Sequence, residues 1–173
     1  FGQQGFHKAS IAQISKACNS SKAWIFHYFP NKEAILYTIL NDFLEMFTEH
    51  IQNALSGVDE PKEKLRALLK VCLSVYIENR FNYPILFNDI DCLPEAEHQQ
   101  LLKMERESVN ILKGIIVELN PSLAGDKRLK ALTLMLFGSI NWSYTWYKPS
   151  GAVSLDELVD ITEQLFLNGL KSF

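Results

Sequence analysis

Apolar positions recur three and four residues apart along most of this chain, the spacing of one helix face. The longest such stretch runs over residues 32–55, where Ile35, Leu36, Ile39, Leu40, Phe43, Leu44 and Phe47 form the stripe and Asn31 is placed to cap it. Gly57 ends it. Pro61 opens a helix to about Arg80 carrying Leu65, Leu68, Leu69, Cys72, Val75 and Tyr76. Residues 79–84 read as a break and 85–91 as a short segment. Pro94 suits the first turn of a long helix to about Leu119. Asn120-Pro121-Ser122 and Gly125 mark a turn, after which the pattern predicts a helix over 126–146 and a loop over 148–151. Ser154 with Glu157 forms a capping box for a last helix to about Leu170. Sustained polar–apolar alternation and hairpin dipeptides are missing from the sequence. The expectation is an all-α chain.

Ahead of the long helix, residues 10–32 predict two short helices about a polar corner. Ser10 and Gln13 have capping-box spacing. Asn19-Ser20-Ser21 is a turn cluster, because short polar side chains bond nearby backbone and interrupt a helix. Ser21 caps a second helix that Pro30 closes. This is the helix-turn-helix pattern. At about 100° per residue, Ile25 and Phe29 lie on the packing face of the second helix with Ser21. Ala23, Trp24, Phe26 and His27 point away, and Lys22 and Tyr28 flank them. Outward Trp and Phe suggest a contact surface. In a DNA reader that face enters the major groove, where apolar groups touch thymine methyls and polar groups reach base edges. The expected division is a helix-turn-helix domain over residues 1–50, its first helix incomplete, and a larger helical domain over residues 51–173.

The order Gly5-Phe6-x-x-Ala9-Ser10-Ile11-x-x-Ile14-Ser15, then Cys18-Asn19-Ser20-Ser21-Lys22-Ala23-x-Ile25-Phe26-His27-Tyr28-Phe29-x-x-Lys32, resembles the DNA-binding domain of the TetR (tetracycline-repressor-like) family. Gly5, Ile14, Ser21, Tyr28, Phe29 and Lys32 agree with that family in type. Cys18, Asn19, Ser20, Ala23 and Phe26 depart from its usual Ala, Gly, Val, Gly and Tyr. The resemblance implies a ligand-responsive, sequence-specific regulator, a repressor that binds a palindromic operator as a homodimer. It implies phosphate contacts from Lys22, Tyr28, Lys32 and Ser10, with Trp24 and His27 at base edges. Ala23 and Phe26 line the same surface, at the end of the helix capped by Ser21. The chain begins at Phe1 rather than Met, which points to preceding residues; in the family this segment ends the first helix.

Charge sharpens the division. The formal net charge is −3, yet the first 32 residues hold Lys8, Lys16, Lys22 and Lys32 and no acid. A local basic end suits a phosphate-facing surface and the acidic remainder does not. Cys18, Cys72 and Cys92 are odd in number and without CxxC spacing, so they read as reduced core thiols of a cytoplasmic protein. No apolar run reaches the roughly 18 residues that span a bilayer, which argues against a membrane partner.

Chemistry for catalysis is thin. Glu95-x-x-His98 has the spacing of one half of a di-iron motif without its second copy, so no metal site and no cofactor are expected. No nucleophile, phosphate or dinucleotide motif occurs, so no enzyme activity is expected. By the family resemblance, Tyr76, Phe87, Met104 and Trp142 are candidates to line a small-molecule effector pocket. An effector suited to such apolar walls is acyl, lipid-like or aromatic. Leu129, Leu132, Leu136 and Ile140, with Leu155, Leu158, Val159, Ile161, Thr162, Leu165 and Phe166, give the last two helices more apolar surface than one small layer buries. In the family these two helices pair across a two-fold axis. Two other readings stay open at this level: a helical enzyme whose helix-turn-helix is incidental packing, and a protein-interaction module docking through Trp24 and Phe26.

Overall fold

The computed structural model describes residues 1–2, 4–80 and 83–173, the side chains of Tyr83 and Phe87 excepted. The described residues are helical, with no strand. In chain order the helices are α1 (Ile11–Ala17), α2 (Lys22–Tyr28), α3 (Lys32–Leu55), α4 (Pro61–Glu78), α5 (Tyr83–Asp89), α6 (Glu95–Leu119), α7 (Leu129–Asn141), α8 (Ser143–Trp146) and α9 (Leu155–Leu170). Short 3-10 turns occupy Ile90–Cys92 and Pro121–Leu123. Phe81 and Asn82, inside the break expected over 79–84, lie outside the described residues.

Helix ends follow local chemistry. Asn31 Oδ1 accepts the Ala34 N–H at 2.7 Å and starts α3. Gly57, in the left-handed region at φ 73°, follows its end. Ser154 and Glu157 form the reciprocal box that opens α9. The helix expected over 126–146 is shorter and interrupted. Asp126 Oδ1 accepts the Arg128 N–H at 2.7 Å and its carboxylate takes the guanidinium of the same residue, so residues 126–128 are held as a turn. At the other end Trp142 separates α7 from α8, where the Ser139 and Thr145 hydroxyls donate to the Leu136 and Trp142 carbonyls.

The chain forms two compact units. One comprises Phe1–Glu45 with Phe81–Lys103, the other Met46–Arg80 with Met104–Phe173. In the first, α1 packs on α2. Phe6, Ala9, Ile25, Ile35, Leu36, Leu40, Phe43 and Leu44 are buried, as are Ile85, Leu86, Ile90 and Leu93. Buried Asp89 accepts the Phe6 N–H at 3.1 Å, which fixes the α5 end against the chain just ahead of α1. In the second unit α4 packs on α7, α8 and α9. Its residues Leu65, Leu68, Leu69, Cys72, Leu73 and Tyr76 are sequestered from solvent along one broad face. Arg66 pairs with Glu163 at 2.7 Å, and Lys70 with Asp156 at 2.7 Å, so the margins of the α4–α9 contact are ionic.

Candidate nucleic-acid interface

The corner between α1 and α2 is built by caps at both ends. Ser10 Oγ accepts the Gln13 N–H at 3.3 Å while Gln13 Oε1 accepts the Ser10 N–H at 2.8 Å. At the far end of α1, the Ser20 N–H reaches back to the Ser15 carbonyl at 2.9 Å and the Asn19 N–H to Lys16 at 3.2 Å. This is a Schellman ending, and it requires a left-handed residue at Asn19, which has φ 49°. Asn tolerates that region better than other residues with a Cβ. The family's usual Gly is thus replaced by the next most permissive residue. Ser21 Oγ then accepts the Trp24 N–H at 3.0 Å and starts α2.

Helix α2 buries one residue. Ile25 is 3% exposed, and Phe29, just past the end, is half-buried. Ser21, Lys22, Ala23 and His27 are all exposed, together with Trp24 at 52%, Phe26 at 51% and Tyr28 at 59%. Trp24 and Tyr28, one turn apart, are in contact with ring centroids 4.7 Å apart and planes tilted by 52°. His27 meets Tyr28 edge-on at 5.0 Å. The outward face is therefore a braced aromatic surface, and Tyr28 is part of it rather than a flank. Lys8, Lys16 and Lys22 are exposed in the same acid-free stretch.

Lys32 stands differently from its expectation as a phosphate contact. Its Nζ donates to the Phe6 carbonyl at 2.8 Å and the Ala9 carbonyl at 3.1 Å, and lies 4.0 Å from the Phe6 ring centroid. Two of its three donors are spent inside the unit, so it ties α3 to the start of α1. Cys18 corrects the expectation of three core thiols, because it is exposed at the end of α1. Cys72 is buried, and burial pushes its thiol up to about 12. Cys92 is partly exposed, its Sγ 3.3 Å from His7 Nε2; burial and then Asp89 and Asp91 raise its thiol. Neither this pair nor the Phe6–Asp89 bond has a local sequence signal, as the partners lie more than 80 residues apart. His98 Nε2 sits 3.4 Å from Asp91. Among the described residues, no group of three or more His, Cys, Asp or Glu side chains is arranged to hold a metal ion. No described helix is long and apolar enough to cross a membrane.

Residues 58–170 match the family described as tetracyclin repressor-like, C-terminal domain. Residues 1–38 match the bacterial regulatory proteins, tetR family. The chain belongs to the TetR family. A TetR-family transcriptional regulator from Bordetella parapertussis 12822 is 35% identical, with a TM-score of 0.91 over 100% of this chain and 91% of that one. The HTH-type transcriptional repressor KstR2 of Mycolicibacterium smegmatis is 24% identical over 179 residues, 98% of this chain and 84% of that protein. The solved structure of AibR in complex with isovaleryl coenzyme A and operator DNA shares the fold. Its TM-score is 0.83 at 20% identity over 95% of this chain and 90% of that one. As a TetR-family member the chain is a DNA-binding transcriptional regulator, not an enzyme.

In this TetR-family chain the four effector candidates fall in different surroundings. Tyr76 is 1% exposed, its ring 5.5 Å from that of Phe47, whereas Trp142 is 64% exposed at the α7–α8 junction. Met104 is half-buried, and the Phe87 side chain lies outside the described residues. An open groove of about 340 Å³ between α7, α8 and α9 is lined instead by Met135, Ser139, Trp146, Leu158, Thr162 and Leu165, among others. The apolar residues left on the surface of α7 and α9 are Leu134, Met135, Ile161 and Leu165, while Leu129, Leu136, Ile140, Leu158 and Val159 are buried within the unit.

Proposed function

We propose that the chain is a repressor that binds a palindromic operator as a homodimer and is released by a small apolar effector. The observation that carries the DNA part is the outward face of α2. Seven exposed residues around one buried anchor, Ile25, sit in a stretch with exposed lysines and no acid. A free surface helix has no use for three half-exposed aromatic rings, whereas a major groove accommodates them. On this reading residues 1–50 are the DNA-reading part and residues 51–173 hold the effector and make the dimer. Ser10, Lys22 and Tyr28 meet phosphate, and Ala23, Trp24, Phe26 and His27 face the bases.

Pairing through α7 and α9 is supported by the exposed Leu134, Met135, Ile161 and Leu165 and by exposed Gly138 and Ser139, which allow close approach. Two recognition helices then require half-sites about one turn apart or somewhat more. The repressor assignment draws on the likeness to KstR2, and the acyl option for the effector on the likeness to AibR, whose structure holds isovaleryl coenzyme A. Of the effector candidates, Tyr76 is buried and Met104 half-buried within their unit. The effector lowers DNA affinity by its differential affinity for the two states and no more. The place of action is the cytoplasm, where the operator is. Fluorescence anisotropy on DNA flanking its own gene tests the reading. Tight binding relative to a scrambled duplex at physiological salt is expected, and equal affinity for both would sink it.

A further inference from the structure

We infer that the recognition face reads thymine methyl groups, so that the operator half-site is set by the C5-methyl pattern of T·A pairs rather than by guanine hydrogen bonds. This rests on the operator-binding reading above and names what that site selects.

The major groove offers each base a different partner chemistry. Guanine is read by Arg or Lys on O6 and N7, adenine by Asn or Gln on N6 and N7, and thymine by apolar contact with its methyl. From Ser21 to Tyr28 there is no Arg, Asn, Gln, Asp or Glu. The Ser21 hydroxyl already accepts the Trp24 N–H. The polar groups left on the face are Lys22, the His27 ring, the Tyr28 phenol and the single indole N–H of Trp24. Exposed Ala23 and Phe26 have carbon-only side chains, and exposed Trp24 is carbon but for its one N–H.

Discrimination works by exclusion as much as attraction. A purine edge set against Ala23 or Phe26 loses water from N7 and its exocyclic group and gains no partner, which is the costly half of hydrogen-bond exchange. A methyl set there leaves water with no polar side chain stranded. The tilted contact of Trp24 with Tyr28, centroids 4.7 Å apart, restricts the indole before binding and so reduces the side-chain freedom lost on docking. Exposed Lys8, Lys16 and Lys22 supply attraction to phosphate that carries no sequence information. The choice of bases is thereby left to Ala23, Trp24 and Phe26, with His27 the one polar ring beside them.

The test starts from duplexes enriched from a random pool by repeated selection on the full chain. Every thymine in the protected stretch is then replaced by deoxyuridine, which removes the methyl and keeps the pairing edge. Each contacted methyl lost is expected to weaken binding about fourfold, so the fully substituted duplex binds at least tenfold more weakly. In a Trp24→Ala, Phe26→Ala chain with an unchanged far-UV spectrum, the thymine-to-deoxyuridine ratio falls toward one. Deoxyuridine duplexes bound within twofold of the originals, with scrambled DNA still far weaker, would overturn the methyl reading and leave operator binding standing. A deoxyuridine loss that persists undiminished in the doubly substituted chain would overturn the assignment to this face. No enriched sequence at all would overturn both readings.

Discussion

Replacing Lys32 by Met asks whether this residue holds the fold or the DNA. Met keeps the aliphatic stem and removes the ammonium. Two hydrogen bonds, to the Phe6 carbonyl at 2.8 Å and the Ala9 carbonyl at 3.1 Å, are lost, along with the cation's place over the Phe6 ring. Charge-assisted hydrogen bonds contribute about 1.5–3 kcal/mol each, and a partly exposed cation–π contact about 0.5–1 kcal/mol. The site is part-buried, so water re-solvates some of what is lost and Met packs on Phe6. A net destabilisation of about 2 kcal/mol is expected. With a urea slope of about 1–3 kcal/mol/M this moves the midpoint by roughly 1 M, read by tryptophan fluorescence at fixed protein concentration. The second readout is the dependence of DNA affinity on salt. Losing one phosphate contact per protomer reduces the log–log slope by about 0.9 each, or about 1.8 for a dimer. The slope is expected to stay unchanged. A midpoint that does not move, together with a slope lower by about 1.8, would refute the inward assignment and return Lys32 to the phosphate.

Three further outcomes follow from geometry elsewhere. Asn19→Ala places a Cβ without the Asn side chain's local bonding in the left-handed region and is expected to destabilise by about 1 kcal/mol, whereas Asn19→Gly stays within about 0.5 kcal/mol, as urea unfolding would report. Thiol labelling of the native chain at pH 8 should modify exposed Cys18 and leave Cys72 untouched until the chain unfolds. Cys72 favours its protonated form, so its contribution to stability is intact below pH 9 and is lost as pH rises toward about 12. The Arg128 guanidinium holds the Asp126 carboxyl down from 3.8 to about 2. Its stabilising pairing is therefore present above pH 4 and lost as pH falls through about 2. Carbonyl NMR should show that late titration, and Arg128→Ala should move it back toward the ordinary range.

What the sequence made legible was whatever chemistry is local. Ser10 with Gln13, Asn31 with Ala34 and Ser154 with Glu157 act over three residues, and each appears where the spacing put it. The outward set Ala23, Trp24, Phe26 and His27 was readable because α2 is short and Ile25 alone turns inward. Lys32 was not readable, since its partners lie 26 and 23 residues away and a charge in a sequence does not say where it points. The apolar surface of α7 also resisted. That helix carries Leu, Met, Phe or Ile on every side, so periodicity could not separate buried Leu136 and Ile140 from exposed Leu134 and Met135. Trp142, a candidate by family resemblance, sits 64% exposed between α7 and α8, a break that helical periodicity did not signal.

The Phe6–Asp89 hydrogen bond bears on how the protein is made. The unit that carries α1 and α2 is assembled from two separate lengths of chain, and its second length ends at Lys103. During synthesis the helix-turn-helix emerges ahead of Asp89 and the buried Ile85, Leu86, Ile90 and Leu93, which follow only after the first third of the other unit has been made. At about 5–20 residues per second, the roughly sixty residues between Glu45 and Lys103 take about 3–12 s to appear. For that interval the nascent chain carries its basic, aromatic α2 surface on an incomplete foundation.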